Sequence, residues 1–124
     1  MASNAKKVLI IDDDLTELAY ICRTLSEICD LYCASSGLVG LETAKEIQPD
    51  LIFMDIDMPD RDGFRLLNDL RQDIHTRHIP VCFLSAYSDQ NVINSAHTHG
   101  ANGYITKPAT PTSIVREVNN ARAA

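Results

Sequence analysis

Five short apolar runs punctuate the chain: Val8-Leu-Ile-Ile11, Leu31-Tyr-Cys-Ala34, Leu51-Ile-Phe-Met54, Val81-Cys-Phe-Leu84 and Gly103-Tyr-Ile105. Each is rich in strand-forming residues and bounded by Asp, Ser, Pro or Gly. They are continuous rather than alternating, which is the pattern of strands covered on both faces. Amphipathic stretches lie between them. Leu15, Leu18, Ala19, Cys22 and Leu25 recur at helical spacing, and Asp14 with Glu17 reads as an N-cap and its capping-box acid. Leu38, Leu41, Ala44 and Ile47 repeat the pattern until Pro49 ends it. Phe64, Leu67, Leu70 and Ile74 form a third stripe opened by Asp62-Gly63. Asp89–His99 is weaker, with Val92, Ile93 and Ala96 as its apolar anchors. Thr110-Pro111 opens the last helix, carrying Ile114, Val115 and Val118. Five βα units in 124 residues imply a parallel sheet with helices on both faces, because right-handed crossovers place them there. The expected organisation is one α/β domain over residues 7–122 after a short tail, residues 1–6.

Composition narrows the partners. Seventeen acids against eleven bases give a net charge of −6, so a basic nucleic-acid footprint is missing and direct DNA or RNA binding is not expected. No apolar run approaches the ~20 residues needed to span a bilayer, and the start MASNAKK lacks a signal-peptide core. The expectation is a cytoplasmic protein with no membrane association. Cys22, Cys29, Cys33 and Cys82 match no CxxC metal spacing and read as small core residues of a reducing compartment.

Open parallel sheets bind ligands beyond the carboxyl ends of their strands. Those ends supply Asp12, Asp13 and Asp14 after the first run, Ser35-Ser36-Gly37 after the second, and Asp55 with Asp57 after the third. Ser85 follows the fourth, and Thr106, Lys107 and Pro108 follow the fifth. Singly, each has an ordinary role: an Asp caps a helix, a Ser makes a turn, a Lys is solvated. Together on one rim, Asp12, Asp13 and Asp55 form a like-charge cluster that is costly unless a cation or protons relieve it. Magnesium suits such a site, taking carboxylates, waters and phosphate oxygens. A lysine and a hydroxyl opposite it complete a cage for phosphoryl transfer to a carboxylate.

The segments VLIIDDD, DLIFMDIDMPDRDGF, VCFLSA and GANGYITKPA occur in the order and at the intervals of one family. Over about Lys7 to Asn120 the chain resembles the receiver domains of two-component response regulators, chemotaxis receivers among them. The resemblance implies a flavodoxin-like (βα)5 fold with strand order 2-1-3-4-5. It implies Asp55 as phosphoacceptor. Asp12, Asp13, Asp55 and the Asp57 backbone carbonyl would hold Mg2+, with Mn2+ or Ca2+ able to substitute. Lys107 would pair with the phosphoryl oxygen, Ser85 would be the switch hydroxyl, and Tyr104 the aromatic that follows Ser85. A cis Lys107–Pro108 peptide is also implied. The donor would be a phosphohistidine of a sensor histidine kinase or histidine phosphotransfer protein, since His75, His78, His97 and His99 are placed as solvated residues. The chain would be a self-modifying acceptor in a phosphorelay rather than a turnover enzyme. It would be a single-domain regulator or a receiver cut from a longer protein.

Several features qualify this expectation. Ser85 stands where threonine is common. Asp57 and Tyr87 flank the path of a water attacking phosphoaspartate and are expected to set its lifetime. Asp55-Ile-Asp57 also fits the opening of haloacid-dehalogenase-type phosphatases, but there the acidic pair comes last in the chain, and here it comes first. A pseudo-receiver binding module would lack site residues that this chain retains. A flavodoxin phosphate loop would be repelled by Asp12-Asp13-Asp14. Met58–Gly63 brushes against an EF-hand loop but begins with Met where that loop needs Asp.

Overall fold

The computed structural model describes residues 5–121. Ten elements alternate: β1 (Lys7–Ile11), α1 (Leu15–Leu25), β2 (Asp30–Ala34), α2 (Gly37–Ile47), β3 (Leu51–Asp55), α3 (Gly63–Gln72), β4 (Val81–Ser85), α4 (Gln90–Thr98), β5 (Gly103–Thr106) and α5 (Pro111–Asn120). The strands form one parallel sheet in the order β2-β1-β3-β4-β5. This is the expected flavodoxin-like arrangement. The order reverses direction between β1 and β3, which lie side by side with Ile11 opposite Met54. Their carboxyl ends therefore open the crevice where such sheets bind ligands.

The continuous apolar runs are explained by two cores. Val8, Ile10, Phe53, Cys82 and Leu84 face α1 and α5, packing on Leu18, Ile21, Leu25, Ile114 and Val118. Leu9, Ile11, Ile52, Met54, Val81 and Phe83 face the other way onto Ala44, Leu66, Leu67, Leu70 and Ala96. Successive strand residues point to opposite faces, so both parities must be apolar. Each fully buried large side chain contributes about 1.5–3 kcal/mol by leaving water. This holds the strand ends that carry the polar groups.

Side chains of the loops cap the helices. Asp14, Ser36, Asp62, Asp89 and Thr110 each accept from a backbone N–H in the first turn of the helix they precede. The capping box expected in α1 is half formed. Asp14 accepts from the Thr16 and Glu17 N–H groups, but its own N–H donates to Asp12 Oδ1 at 2.9 Å rather than to Glu17. Asp60, from the EF-hand-like stretch, accepts from the Gly37 and Leu38 N–H groups at 2.9 and 3.0 Å. It thus caps α2 from the far side of β3.

Several expected core placements need correction; Ala19 is exposed on the outer side of α1, and Leu38, in the first turn of α2, is 54% exposed. In α1 the buried stripe is Leu18, Ile21 and Leu25, while Leu15 is 73% exposed. Leu15 occupies the first helical turn, level with the rim and beyond the cover of the strands. Ile74 is 66% exposed because α3 ends at Gln72. Of the four cysteines, Cys29 and Cys82 are buried, but Cys22 is half-buried and Cys33 exposed. Cys33 sits on β2, an edge strand paired, among the described residues, with β1 alone.

Residues 1–4 of the expected tail, and residue 122 at the expected domain end, lie outside the described residues. Lys6 is tied down, its Nζ donating to the Val118 carbonyl at 2.7 Å. Among the described residues no helix is long and apolar enough to cross a membrane.

Candidate functional site

The site assembles from three strand ends. Asp12 follows β1 directly and is fully buried; its N–H donates to the Ala34 carbonyl at 3.0 Å, fixing it between β1 and β2. Asp55 is the last residue of β3, and its Oδ1 accepts from the Ile56 N–H at 2.7 Å. Lys107 follows β5 and donates its backbone N–H to the Ser85 carbonyl at 2.7 Å. The Lys107–Pro108 peptide is cis, as expected. The Lys107 ammonium crosses the top of the sheet and reaches both carboxylates, at 3.2 Å from Asp12 Oδ2 and 3.3 Å from Asp55 Oδ2.

Asp13 joins them. One carboxylate oxygen from each of Asp12, Asp13 and Asp55 lies within 4.8 Å of the others. The three differ in setting: Asp12 is buried, Asp55 half-buried and Asp13 exposed. Burial pushes the Asp12 carboxyl up, the Asp14 N–H and the Lys107 charge pull it back, and Asp55 adds to the rise. For Lys107, burial acts downward, but the Asp12 and Asp55 charges outweigh it and leave the ammonium above its usual range. The rim is therefore a strained anionic cluster held by one ammonium. Its all-oxygen donor set matches a hard divalent cation.

The remaining expected residues have other partners. Ser85 is fully buried at the end of β4, and its Oγ accepts from the Tyr87 N–H at 3.1 Å. Tyr104 stacks edge-on against Phe83 at 6.3 Å and donates its hydroxyl to the Tyr87 carbonyl at 2.7 Å. Ser85 and Tyr104 thus hold the β4–α4 loop from two sides of the same residue. The neighbouring Asp57 carboxylate raises the Tyr87 phenol. The two residues singled out for the water path are therefore electrostatic neighbours.

Glu17 does more than the sequence pattern of a capping acid implies. Its Oε1 is enclosed without a hydrogen-bond partner among the described residues. Burial raises its carboxyl, Lys107 opposes that, and Asp12, Asp14 and Asp55 add to it. Glu17 is a fourth carboxylate beside the cluster. Its i+3 spacing from Asp14 was visible, but its orientation was not, since Asp12 had taken the Asp14 N–H.

Residues 8–119 match the family model described as "Response regulator receiver domain". The chain belongs to that family. It is 33% identical over 123 residues to the chemotaxis protein CheY of Halobacterium salinarum, covering 97% of this chain and 99% of that protein. A response regulator structure from Chloroflexus aurantiacus superposes with a TM-score of 0.89 at 29% identity, covering 95% of this chain and 98% of that one. The receiver of a Pseudomonas aeruginosa sensor histidine kinase, described with magnesium in its active-site cleft, superposes with a TM-score of 0.86 at 21% identity, covering 94% and 97%. This receiver domain amounts to only 23%, 8% and 30% of the length of three larger relatives. It is a signalling domain of two-component systems, a family in which phosphorylation and magnesium binding are typical.

Proposed function

We propose that residues 7–122 form one receiver unit whose phosphoacceptor is Asp55, charged by the phosphohistidine of a sensor kinase or histidine phosphotransfer protein. The observation that carries this reading is the Lys107 ammonium bridging Asp12 and Asp55, with Asp13 completing the oxygen cluster. Asp55 Oδ2 is the nucleophile. It attacks phosphorus in line, the phosphorus–nitrogen bond of the donor breaks, and the departing imidazole takes a proton from solvent. Asp12, Asp13, Asp55 and the Asp57 carbonyl are the residues that would hold Mg2+. That ion supplies charge neutralisation for the incoming phosphoryl oxygens. Lys107 moves from Asp55 Oδ2 to pair with an oxygen of the transferred group. The phosphoryl group brings about 1.5–2 negative charges and three acceptor oxygens to the rim.

The readout runs through Tyr87. When the Ser85 hydroxyl turns to donate to a phosphoryl oxygen, the Tyr87 N–H loses its acceptor. Tyr104 still holds the loop at the Tyr87 carbonyl, and α4, whose one buried residue among those described is Ala96, has little packing to resist a shift. A pre-existing two-state equilibrium of this loop is thereby biased.

Labelling with acetyl phosphate tests the proposal. One phosphoryl group per chain, dependent on Mg2+, mapped to Asp55 and absent in Asp55→Asn, supports it. Label elsewhere, or continuous turnover of the donor in Asp55→Asn, overturns it.

A further inference from the structure

Cys22 lies on the sheet-facing flank of α1, and Cys33 on the edge strand β2. Their sulfurs touch at 3.3 Å. Neither belongs to the phosphorylation site, and neither is a fully buried core thiol as Cys29 and Cys82 are. A disulfide requires sulfurs about 2.05 Å apart, so closure asks for an approach of about 1.3 Å from the observed contact. Rotation of the two side chains can supply it, because Cys33 is exposed on a strand paired along only one edge.

We propose that Cys22 and Cys33 are a redox-modification site that closes to an intramolecular disulfide in the presence of a small-molecule disulfide. The exposed Cys33 thiolate attacks one sulfur of oxidised glutathione; a mixed disulfide forms and one glutathione thiolate leaves. The Cys22 thiolate then attacks the Cys33 sulfur and expels the second glutathione. Two protein thiols lose two electrons, one oxidant disulfide becomes two thiols, and the two protons end on the released glutathione. Although the residue as a whole is exposed, desolvation of its sulfur, with the hydrogen bond to Cys22, pushes the Cys33 thiol up to about 12. The reaction is accordingly slow at neutral pH and accelerates with alkali. The bridge ties α1 to the sheet edge at the residue before Ala34, whose carbonyl accepts from the Asp12 N–H.

The full chain, incubated with oxidised glutathione at mildly alkaline pH and quenched with acid, is read by intact mass and peptide mapping. The expected product has lost two hydrogens, carries no glutathione, and yields a linked Cys22–Cys33 peptide. Cys29 and Cys82 alkylate only after unfolding. Cys22→Ser, checked for folding by circular dichroism, retains a stable glutathione adduct on Cys33. Closure raises the melting midpoint by about 5 °C or more, reversed by dithiothreitol. A persistent adduct on wild-type Cys33, no loss of thiols, or a bridge between two chains would each overturn the proposal.

Discussion

Replacing Lys107 by methionine keeps the apolar stem and removes the ammonium that lies 3.2 Å from Asp12 and 3.3 Å from Asp55. The Asp12 side chain is 1% exposed, Asp55 14% and Lys107 18%. Removing one partner of a buried pair costs about 3–5 kcal/mol, because the other charge stays buried and unpaired. Partial solvent access at Asp55 and Lys107 lowers this to about 2–4 kcal/mol, or a melting midpoint lower by about 10 °C in a domain of this size. Asp13→Asn has the opposite sign. It removes a like charge from the same cluster, and because Asp13 is exposed the gain is about 0.5–1 kcal/mol. Both effects are defined in EDTA, by urea unfolding followed by circular dichroism at neutral pH. Saturating magnesium, which binds the folded state alone, should shrink the Lys107→Met deficit and erase the Asp13→Asn advantage. A Lys107→Met protein as stable as wild type in EDTA, or an Asp13→Asn protein that is less stable, would refute the picture of a repulsive cluster held by one ammonium.

Other changes have defined outcomes. A Cβ on Gly63 would lie 2.6 Å from the Asp55 carbonyl and 2.8 Å from both Ile56 Cα and a Phe83 ring carbon. Gly63→Ala should therefore cost about 1–3 kcal/mol in urea unfolding and slow acetyl-phosphate labelling as the end of β3 shifts. The Gly37 and Leu38 N–H groups hold the Asp60 carboxyl below its ordinary value of 3.8. A lowered folded-state value contributes stability above the unfolded value and loses it as pH falls through the folded one. Asp60→Ala should lower the melting midpoint near neutral pH and flatten its decline below about pH 4, checked by melts across that range. Asp57→Asn removes the carboxylate that raises the Tyr87 phenol and should lengthen the phosphoaspartate half-life by about threefold or more. An unchanged half-life in a dephosphorylation assay would remove Asp57 from the water path.

The sheet was legible because the inner strands β1, β3 and β4 had to be apolar on both faces, which leaves their sequences little freedom. The acid cluster was legible for a related reason: parallel strands deliver their carboxyl ends to one rim, so adjacency in space follows from position in the run. Rotation about a helix axis was less so. Leu15 and Ile21 both fit a helical stripe, and only the height of the sheet decides that Ile21 is buried and Leu15 is not. Contacts between distant segments were illegible. Asp60 capping α2 spans more than twenty residues. The meeting of Cys22 and Cys33 depends on how α1 leans over β2. Residue types could not reveal that the Asp12 side chain would displace Glu17 from the Asp14 N–H.

The bond from Lys6 to the Val118 carbonyl has an architectural consequence. It fastens the entry of β1 to the closing turn of α5, and Asn120 and Ala121 share a hollow with Leu51, Pro80 and Asn102 at the amino ends of the strands. Both ways out of the fold thus leave side by side, on the pole opposite the acidic mouth. Neighbouring polypeptide can be grafted at either junction without crossing the mouth. A single plug-in cassette of this kind can ride inside much larger proteins, its chemistry facing outward whatever is attached behind it.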